Sequence, residues 1–371
     1  MPRTASHHTN INVPLFWPAQ LAADMAEQGL ELLARNVKFV TEETRLHGGI
    51  KPRLATAHTV RLRLRTLDLC DYSGPAASSG VPTLVNAPYA GHTSMIADYH
   101  DRQSLMQTLR DAGVGALFLT DWHSASADMK DFDVDQYLAE LLVCIDDLGG
   151  RVNLVGLCQG GWMAAMLAAR YPDKVASLVL AGAPIDTHAG GGPLVRMTRD
   201  SPMDFYRDLV ASGGGLMLGR YMLAGWKNMH PTTHYVQEHI DLYEHIDDPT
   251  WLAKAESFAR WYENPLDLPG RWYLQVIDQL FKRNLLAHGE FVGLGRRLDL
   301  AAVQCPLYLL AGAADDITLP PQVFAAARLM RTPAEYVRQA TVPGGHVGLF
   351  MGARTLRETW PDIGAWLTRQ H

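Results

Sequence analysis

Short apolar runs alternate with segments of helical periodicity over the first half of the chain. The runs have the length of strands, and the segments between them have the length of helices. The pattern predicts strands at 61–71, 83–87, 116–120, 151–157 and 175–181, and helices at 93–112, 134–148 and 160–171. The alternation along the first strand slips once, at Thr66. Strands and helices in this order are typical of a mostly parallel sheet that helices cover on both faces.

The alternation stops after Ala183-Pro184 and resumes at Cys305. The residues between have a helical pattern and contain four of the nine tryptophans. We therefore predict a helical cap (lid) at 186–300, inserted into a core formed by 51–185 and 301–371. Residues from about Leu15 to Leu46 have helical periodicity without a strand. We therefore expect residues 1–50 to be an N-terminal helical extension that packs on the body, with a partner-binding arm as the alternative.

A sharp turn with a cysteine at its apex follows the predicted strand 151–157. Its sequence is Gly156-Leu157-Cys158-Gln159-Gly160-Gly161, and an alanine-rich helical pattern begins directly after it. Glycines on both sides allow a strand-to-helix turn in which Cys158 projects as a nucleophile. A buried structural cysteine beside a packing glycine would have the same pattern, so the motif needs partners.

Two later strand ends supply those partners. A buried strand that begins near Cys305 runs into Asp315-Asp316, and the strand-like run 336–342 ends in Pro343-Gly344-Gly345-His346. Nucleophile, acid and histidine in this order are typical of α/β-hydrolases. A free thiol has a pKa of about 8.5, so we expect His346 to take its proton and Asp316 to orient the imidazole. The sequence thus predicts an α/β-hydrolase fold with a Cys158, Asp316 and His346 triad.

An acyl group attacked by Cys158 would develop an oxyanion that needs hydrogen-bond donors. The backbone amide of Gln159 is one candidate, because it directly follows the nucleophile. The second should come from the loop after strand 83–87. Pro88 has no amide hydrogen, so we assign this role to Tyr89.

The composition excludes several classes of partner. The chain has 371 residues, 47% of them hydrophobic, and a net charge of −6 without a basic tract. This argues against nucleic-acid binding and against electrostatic attachment to a membrane. Residues 1–12 lack the apolar segment of a signal peptide, and no apolar run is long enough to span a membrane, so we expect a cytoplasmic protein.

The remaining cysteines and the histidine-rich segment do not indicate a cofactor. Three cysteines lie in apolar contexts and are predicted to be core residues: Cys70, Cys144 and Cys305. Four histidines cluster in the predicted cap: His230, His234, His239 and His245. No acidic residue separates the first two as in zinc proteases, so a solvated helix face is the preferred interpretation. We expect no metal and no cofactor.

Four motifs together resemble the polyhydroxyalkanoate synthase and intracellular polyhydroxyalkanoate depolymerase superfamily. They are the elbow at 156–161, Leu268-Pro269-Gly270, Asp299-Leu300 before Cys305-Pro306, and Pro343-Gly344-Gly345-His346-Val347-Gly348. The resemblance runs from about Lys51 to the C-terminus. It implies that Cys158 is the nucleophile and His346 the base. The acid of the family motif lies four residues before a proline, which places it at Asp316, with Asp315 as the neighbour that could be confused with it.

Two departures from the synthases decide the predicted activity. Ile317 stands where the synthases carry a histidine after the acid, and His92 ends a loop that looks like that of the depolymerases. We therefore predict an intracellular polyhydroxybutyrate depolymerase that cleaves 3-hydroxyalkanoate esters through an acyl-thioester on Cys158. The first alternative is a synthase that polymerises 3-hydroxyacyl-coenzyme A on the same cysteine. The second is a non-catalytic granule-associated protein.

The same interpretation implies the binding residues and partners. We assign substrate contacts to His92 and Trp162. The expected partners are a polyester or 3-hydroxyacyl ester, the surface of a polymer granule, and coenzyme A as donor or acceptor. A homodimer is a further candidate.

Overall fold

The computed structural model of the protein describes residues 17–47, 50–74, 80–229 and 237–370. Its centre is a sheet of eight strands in the order β1-β2-β4-β3-β5-β6-β7-β8. The strands are β1 (Thr59–Arg63), β2 (Leu67–Asp71), β3 (Thr83–Asn86), β4 (Leu117–Trp122), β5 (Val152–Leu157), β6 (Val175–Ala181), β7 (Leu307–Gly312) and β8 (Val337–Val342). Strands β3 to β8 pair in parallel, whereas β1 and β2 pair antiparallel with each other and β2 with β4. A mostly parallel sheet with helices, as the sequence predicts, is confirmed.

Fifteen described α-helices surround and extend the sheet. They are α1 (Trp17–His47), α2 (Leu105–Asp111), α3 (Val134–Asp147), α4 (Gln159–Arg170), α5 (Pro193–Asp200), α6 (Met203–Ser212), α7 (Gly219–Met229), α8 (Glu238–Glu244), α9 (Pro249–Tyr262), α10 (Gly270–Gln275), α11 (Pro320–Phe324), α12 (Ala326–Leu329), α13 (Gly348–Met351), α14 (Ala353–Glu358) and α15 (Trp360–Leu367). A π-helical segment, Val276–Lys282, continues α10. Such segments are rare and often lie at functional sites.

The core is formed by the strands and the helix that are buried on every face. Every residue of β5 and β6 is buried, and so are ten consecutive residues of α4, from Gly160 to Ala169. Strands buried on both faces appear in the sequence as continuous apolar runs, which is why their positions could be predicted from sequence.

Two predicted elements are wrong in detail. The run 61–71 is two antiparallel strands, and the turn between them includes Thr66, where the alternation slips. The Glu140 carboxylate fixes this turn, because it accepts hydrogen bonds from the amide and the hydroxyl of Thr66.

The predicted helix 93–112 is likewise only partly helical. It begins with a 3-10 turn at Ser94–Ala97, passes through the short ribbon Asp98–His100 with Gln103–Ser104, and becomes helical at α2. Asp98 explains the break. It is fully buried and accepts hydrogen bonds from Thr56 and Tyr72, long-range contacts that no local pattern reveals.

Helix α1 packs against the helical segment between β6 and β7. Leu46 joins a small apolar cluster with Leu242, Ile246 and Ala259 from α8, the turn after it and α9. Arg45 forms an ion pair with Glu256 of α9. The N-terminal helical pattern thus ends in a tertiary contact.

Polar contacts connect the beginning of the helical segment to the core. The Asp186 carboxylate accepts from Asn284 Nδ2 at 2.8 Å and pairs with Arg328 of α12. Thr187 Oγ1 donates to the Leu280 carbonyl at 2.6 Å, and its own carbonyl accepts from Gln322 at 2.7 Å. We call this group, Asp186, Thr187, Asn284, Gln322 and Arg328, the Asp186 latch. It joins the first residues of the predicted cap to α11 and α12.

Candidate active site

The elbow at Cys158 has the strained backbone of a nucleophile turn. Strand β5 ends at Leu157 and α4 begins at Gln159, while Cys158 has φ 50° and ψ −120°. A side-chain-bearing residue in this region costs about 1–3 kcal/mol, which the surroundings must offset. Two backbone hydrogen bonds hold the turn, from the Cys158 amide to the Ala181 carbonyl and from the Gly161 amide to the Cys158 carbonyl.

The glycines of the elbow are required by close packing. A Cβ atom on Gly160 would lie 2.2 Å from the Asn86 carbonyl oxygen, and one on Gly161 would lie 2.3 Å from the Ala183 Cβ. The elbow therefore rests directly on the end of β3 and on the residues after β6. This contact fixes the height of Cys158 above the sheet.

His346 lies in the loop between β8 and α13 and is buried beside the elbow. Its Nδ1 donates to Asp315 Oδ2 at 2.7 Å. Cys158 and His346 line the same cavity. The structure thus brings the predicted nucleophile and base together.

The acid that contacts His346 is Asp315, so the placement of the acid at Asp316 is wrong. Asp315 is buried, and its Oδ1 accepts from the amides of Ile317 and Thr318 at 3.0 and 2.8 Å. This turn leaves Oδ2 free to face the imidazole. Asp316, one residue later, lines the cavity instead. The proline spacing of the motif cannot distinguish two adjacent aspartates, whereas the turn does.

The imidazole of His346 is hydrogen-bonded to the Asp315 carboxylate and lines the same cavity as the Cys158 side chain. Burial disfavours its charged form, but the charge and hydrogen bonds of Cys158 and Asp315 outweigh that cost and raise the pKa of His346 to about 10. The thiolate is the reactive form of a cysteine, and a histidine is the kind of group that can take the proton from a nucleophilic thiol.

The other three cysteines have no such partner in the described structure. Burial raises the pKa of each thiol to about 12: Cys70, Cys144 and Cys305. They are protonated at neutral pH and therefore poor nucleophiles.

The loop after β3 is anchored beneath the elbow. The Ala87 amide donates to Thr120 Oγ1 at 3.0 Å, and the Ala87 carbonyl accepts from Trp122 Nε1 at 2.9 Å. The Tyr89 ring is fully buried and its hydroxyl accepts from Tyr137 at 2.9 Å. Only the backbone amide of Tyr89 could therefore serve an oxyanion. Gln159 lines the cavity, and both oxyanion assignments stay predictions.

The two predicted substrate contacts lie in different environments. His92 lines the cavity, but its Nε2 donates to the Tyr262 carbonyl at 3.1 Å and its ring stacks on Tyr262. Burial lowers the pKa of His92 to about 4, so the ring is neutral. Trp162 is fully buried against Trp272 and does not line the cavity, so its assignment as a substrate contact is wrong.

The cavity above Cys158 has a volume of about 350 Å³. Aromatic residues that sequence reasoning did not assign to the site form much of its lining: Trp226, Phe258, Trp261, Tyr262 and Phe281. Three of them, at positions 258, 261 and 262, share one face of α9 through i, i+3 and i+4 spacing. That spacing is visible in the sequence, but it does not show what the face contacts.

The histidine cluster and the helices give two further observations. His230 and His234 lie outside the described residues, while His239 pairs with Glu43 and His245 stacks on Trp251. In the described ranges, no three His, Cys, Asp or Glu side chains are grouped as metal ligands would be.

None of the described helices is both long enough and apolar enough to cross a membrane.

Comparison with known proteins gives three kinds of match. The model of a family described as "Protein of unknown function (DUF3141)" matches residues 73–343. The chain is 25% identical over 364 residues to the poly(3-hydroxyalkanoate) polymerase subunit PhaC of Allochromatium vinosum, an alignment that covers 95% of this chain and 98% of that protein. It is 26% identical over 297 residues to the subunit of the same name from Haloferax mediterranei, covering 78% of this chain but only 58% of that protein.

The solved structures show the fold. The Mycobacterium tuberculosis protein BpoC superposes with a TM-score of 0.52 at 16% identity, covering 84% of this chain and 99% of that one. At this identity the likeness concerns the arrangement of the sheet and helices and not the reaction.

Proposed function

The chain belongs to the family described as "Protein of unknown function (DUF3141)" and, more broadly, to the polyhydroxyalkanoate synthase superfamily of α/β-hydrolases, and is an enzyme of that fold; on this premise we propose that it transfers 3-hydroxyacyl groups from a coenzyme A thioester to a hydroxyl acceptor. The observation that carries the proposal is that Cys158 and His346, the latter hydrogen-bonded to Asp315, line one apolar cavity.

In the first half-reaction the Cys158 thiolate attacks the thioester carbonyl. A carbon–sulfur bond forms to Cys158, the bond to coenzyme A breaks, and His346 donates its proton to the departing thiolate. The amide of Gln159, at the start of α4, is our choice to stabilise the oxyanion between these events.

In the second half-reaction the acceptor hydroxyl attacks the acyl-Cys158 thioester. His346, now neutral, takes the hydroxyl proton, and the Cys158 thiolate leaves, so that an ester forms and the ion pair is restored. Asp315 keeps the same ring nitrogen protonated throughout, because its Oδ2 accepts from Nδ1.

The synthase alternative has better support than the depolymerase that the sequence motifs favoured. The relatives named above are polymerase subunits, and one alignment covers almost the whole of both chains. His92 was a main reason for preferring hydrolysis, but its ring nitrogen is engaged by the Tyr262 carbonyl. Ile317 is the remaining reason to keep hydrolysis as a second candidate, because it lines the cavity where the synthases carry a polar residue.

The deciding experiment offers the purified protein two substrates separately. With 3-hydroxybutyryl-coenzyme A, we expect release of coenzyme A and growth of an ester-linked oligomer, and with amorphous polyhydroxybutyrate we expect little release of hydroxy acid. Consumption of the polymer but not of the thioester would instead support the depolymerase.

Variants show whether the chemistry uses the proposed cysteine. Cys158→Ala should abolish turnover, whereas Cys305→Ala, which changes a cysteine of raised pKa outside the cavity, should retain it. A fully active Cys158→Ala protein contradicts the proposal. A protein without turnover, in which iodoacetamide labels Cys158 no faster than Cys305, would support a non-catalytic granule-associated role.

A further inference from the structure

The cavity above Cys158 is larger than a four-carbon acyl group requires. We infer that it selects hydroxyacyl groups of medium length, about eight to ten carbons, over the four-carbon group. This inference rests on the proposed acyl transfer and specifies its substrate class. It depends on the volume of the cavity, the residues of its wall and the location of its polar groups.

The volume sets the size of the occupant. An engineered protein cavity of about 150 Å³ is known to hold benzene, a molecule of six carbons. The cavity here measures about 350 Å³, more than twice as much. It therefore has room for a carbonyl group at Cys158 and an apolar chain of several further carbons. A four-carbon group would leave much of it unfilled, and unfilled apolar space forgoes contact energy.

The wall that faces this space is a continuous aromatic surface. Phe258 and Tyr262 stack with ring centroids 5.2 Å apart, and Trp261 meets Phe258 edge-on at 5.8 Å. The loop of the core that carries His92 is bound to this surface, because Trp261 Nε1 donates to the Thr93 carbonyl at 3.2 Å and His92 stacks on Tyr262. Rings held in this way form a wall of fixed shape, against which an alkyl chain can pack.

Most polar residues of the lining come from the core loops: His92, Cys158, Gln159, Asp316, Thr318 and His346. The segment between β6 and β7 contributes apolar and aromatic side chains, and its polar atoms there are the Trp226 indole nitrogen and the Tyr262 hydroxyl. Lysine and arginine are absent from the described lining. The nearby Lys227 pairs with Glu263 at 2.7 Å. The wall therefore favours a neutral hydrocarbon chain and not a second carboxylate or phosphate.

The test measures how fast Cys158 is acylated by coenzyme A thioesters of 3-hydroxybutyrate, 3-hydroxyhexanoate, 3-hydroxyoctanoate and 3-hydroxydecanoate. Release of the coenzyme A thiol gives the second-order rate constant of acylation, and intact mass identifies the acyl-enzyme. Each buried methylene should raise the rate constant about fourfold, so the octanoyl-to-butyryl ratio should approach about 200. A ratio below about 10 would overturn the inference.

Two variants connect the selectivity to the wall. Ala90→Leu adds bulk to a residue of the lining, so the octanoyl-to-butyryl ratio should fall at least tenfold. Phe258→Ala enlarges the cavity and should move the optimum to a longer chain. Phe205→Ala is the matched control, because Phe205 is half exposed on α6 and does not line the cavity. Equal ratios in all three variants would contradict the assignment of the wall.

A second probe separates this inference from the proposed function. N-alkyl iodoacetamides with butyl to octyl chains alkylate Cys158 whatever its natural substrate is. If no thioester acylates Cys158 but alkylation accelerates with chain length, the proposed function fails and the selectivity of the cavity stands. If thioesters react with no preference for chain length, the function stands and this inference fails.

Discussion

At the residue scale, both oxygens of the Asp315 carboxylate accept hydrogen bonds. One oxygen accepts hydrogen bonds from the backbone amides of Ile317 and Thr318, and the other accepts one from Nδ1 of His346. These hydrogen bonds fix the orientation of the carboxylate, which in turn holds the imidazole in one orientation. Asp316 lines the cavity and has a different environment.

The two aspartates can therefore be separated by substitution. Asp315→Asn should lower the rate of Cys158 acylation about 10²- to 10⁴-fold, because the loss of the acid removes the preferred tautomer of His346. Asp316→Asn should lower it less than tenfold. The measurement is the single-turnover release of coenzyme A at neutral pH. The reverse order of the two variants would restore Asp316 as the acid.

The raised pKa of His346 also predicts a dependence of stability on pH. A group whose pKa is raised on folding contributes stability that is fully present below its unfolded value, about 6.5, and is lost as the pH rises through the folded value, about 10. The wild-type protein should therefore exceed Asp315→Asn in free energy of unfolding by on the order of 1–3 kcal/mol at pH 6, and this difference should shrink by pH 10.5. Urea unfolding at both pH values measures it. A difference that does not change with pH would contradict the imidazolium.

At the element scale, the strands could be predicted because each is a short apolar run whose neighbours are turns or helices. β6 was located to its end residues, 175–181. The failures at 61–71 and 93–112 arise where a distant carboxylate, Glu140 or Asp98, fixes the backbone. Trp162 was misplaced for a related reason. Its helix is buried on all sides, so its position beside the nucleophile does not indicate which way the ring faces.

The elbow gives a prediction at this scale. Gly160→Ala would place a Cβ 2.2 Å from the Asn86 carbonyl oxygen, so β3 and α4 would have to separate. We expect a loss of about 3 kcal/mol in the free energy of unfolding, together with loss of Cys158 reactivity. Gly225→Ala in α7 is the control, since its Cβ would meet no atom within 4 Å and should stabilise the helix by about 0.5 kcal/mol. A Gly160→Ala protein of normal stability and reactivity would contradict the close packing of the elbow.

At the scale of the whole molecule, the Asp186 latch joins the helical segment to the core. Asn284 is buried and donates to Asp186 while it accepts from the Thr187 amide. Its removal would leave a buried carboxylate short of one hydrogen bond. Such contacts between distant parts of a chain are invisible in sequence, which is why the predicted boundary of the cap depends only on the interruption of the strand pattern.

Asn284→Ala should lower the free energy of unfolding by about 2 kcal/mol and should accelerate proteolysis within 186–300 under native conditions. Asp204→Ala removes an exposed partner of Arg207 in the same segment and should change stability by less than about 0.5 kcal/mol. Denaturation by urea and timed digestion with thermolysin provide the two measurements. Equal digestion of the two variants would show that the latch does not restrain the segment.

The aromatic wall bears on the lifetime of an acyl group on Cys158 as well as on the chain length that the cavity accepts. On the proposed function, the acyl group on Cys158 would be a reactive thioester, and it would survive only while water is kept from its carbonyl. The aromatic wall belongs to the same helical segment that the Asp186 latch connects to the core. On the proposed acyl transfer, any opening of that segment would admit water to the thioester, so we expect Asn284→Ala to shorten the lifetime of the acyl-enzyme.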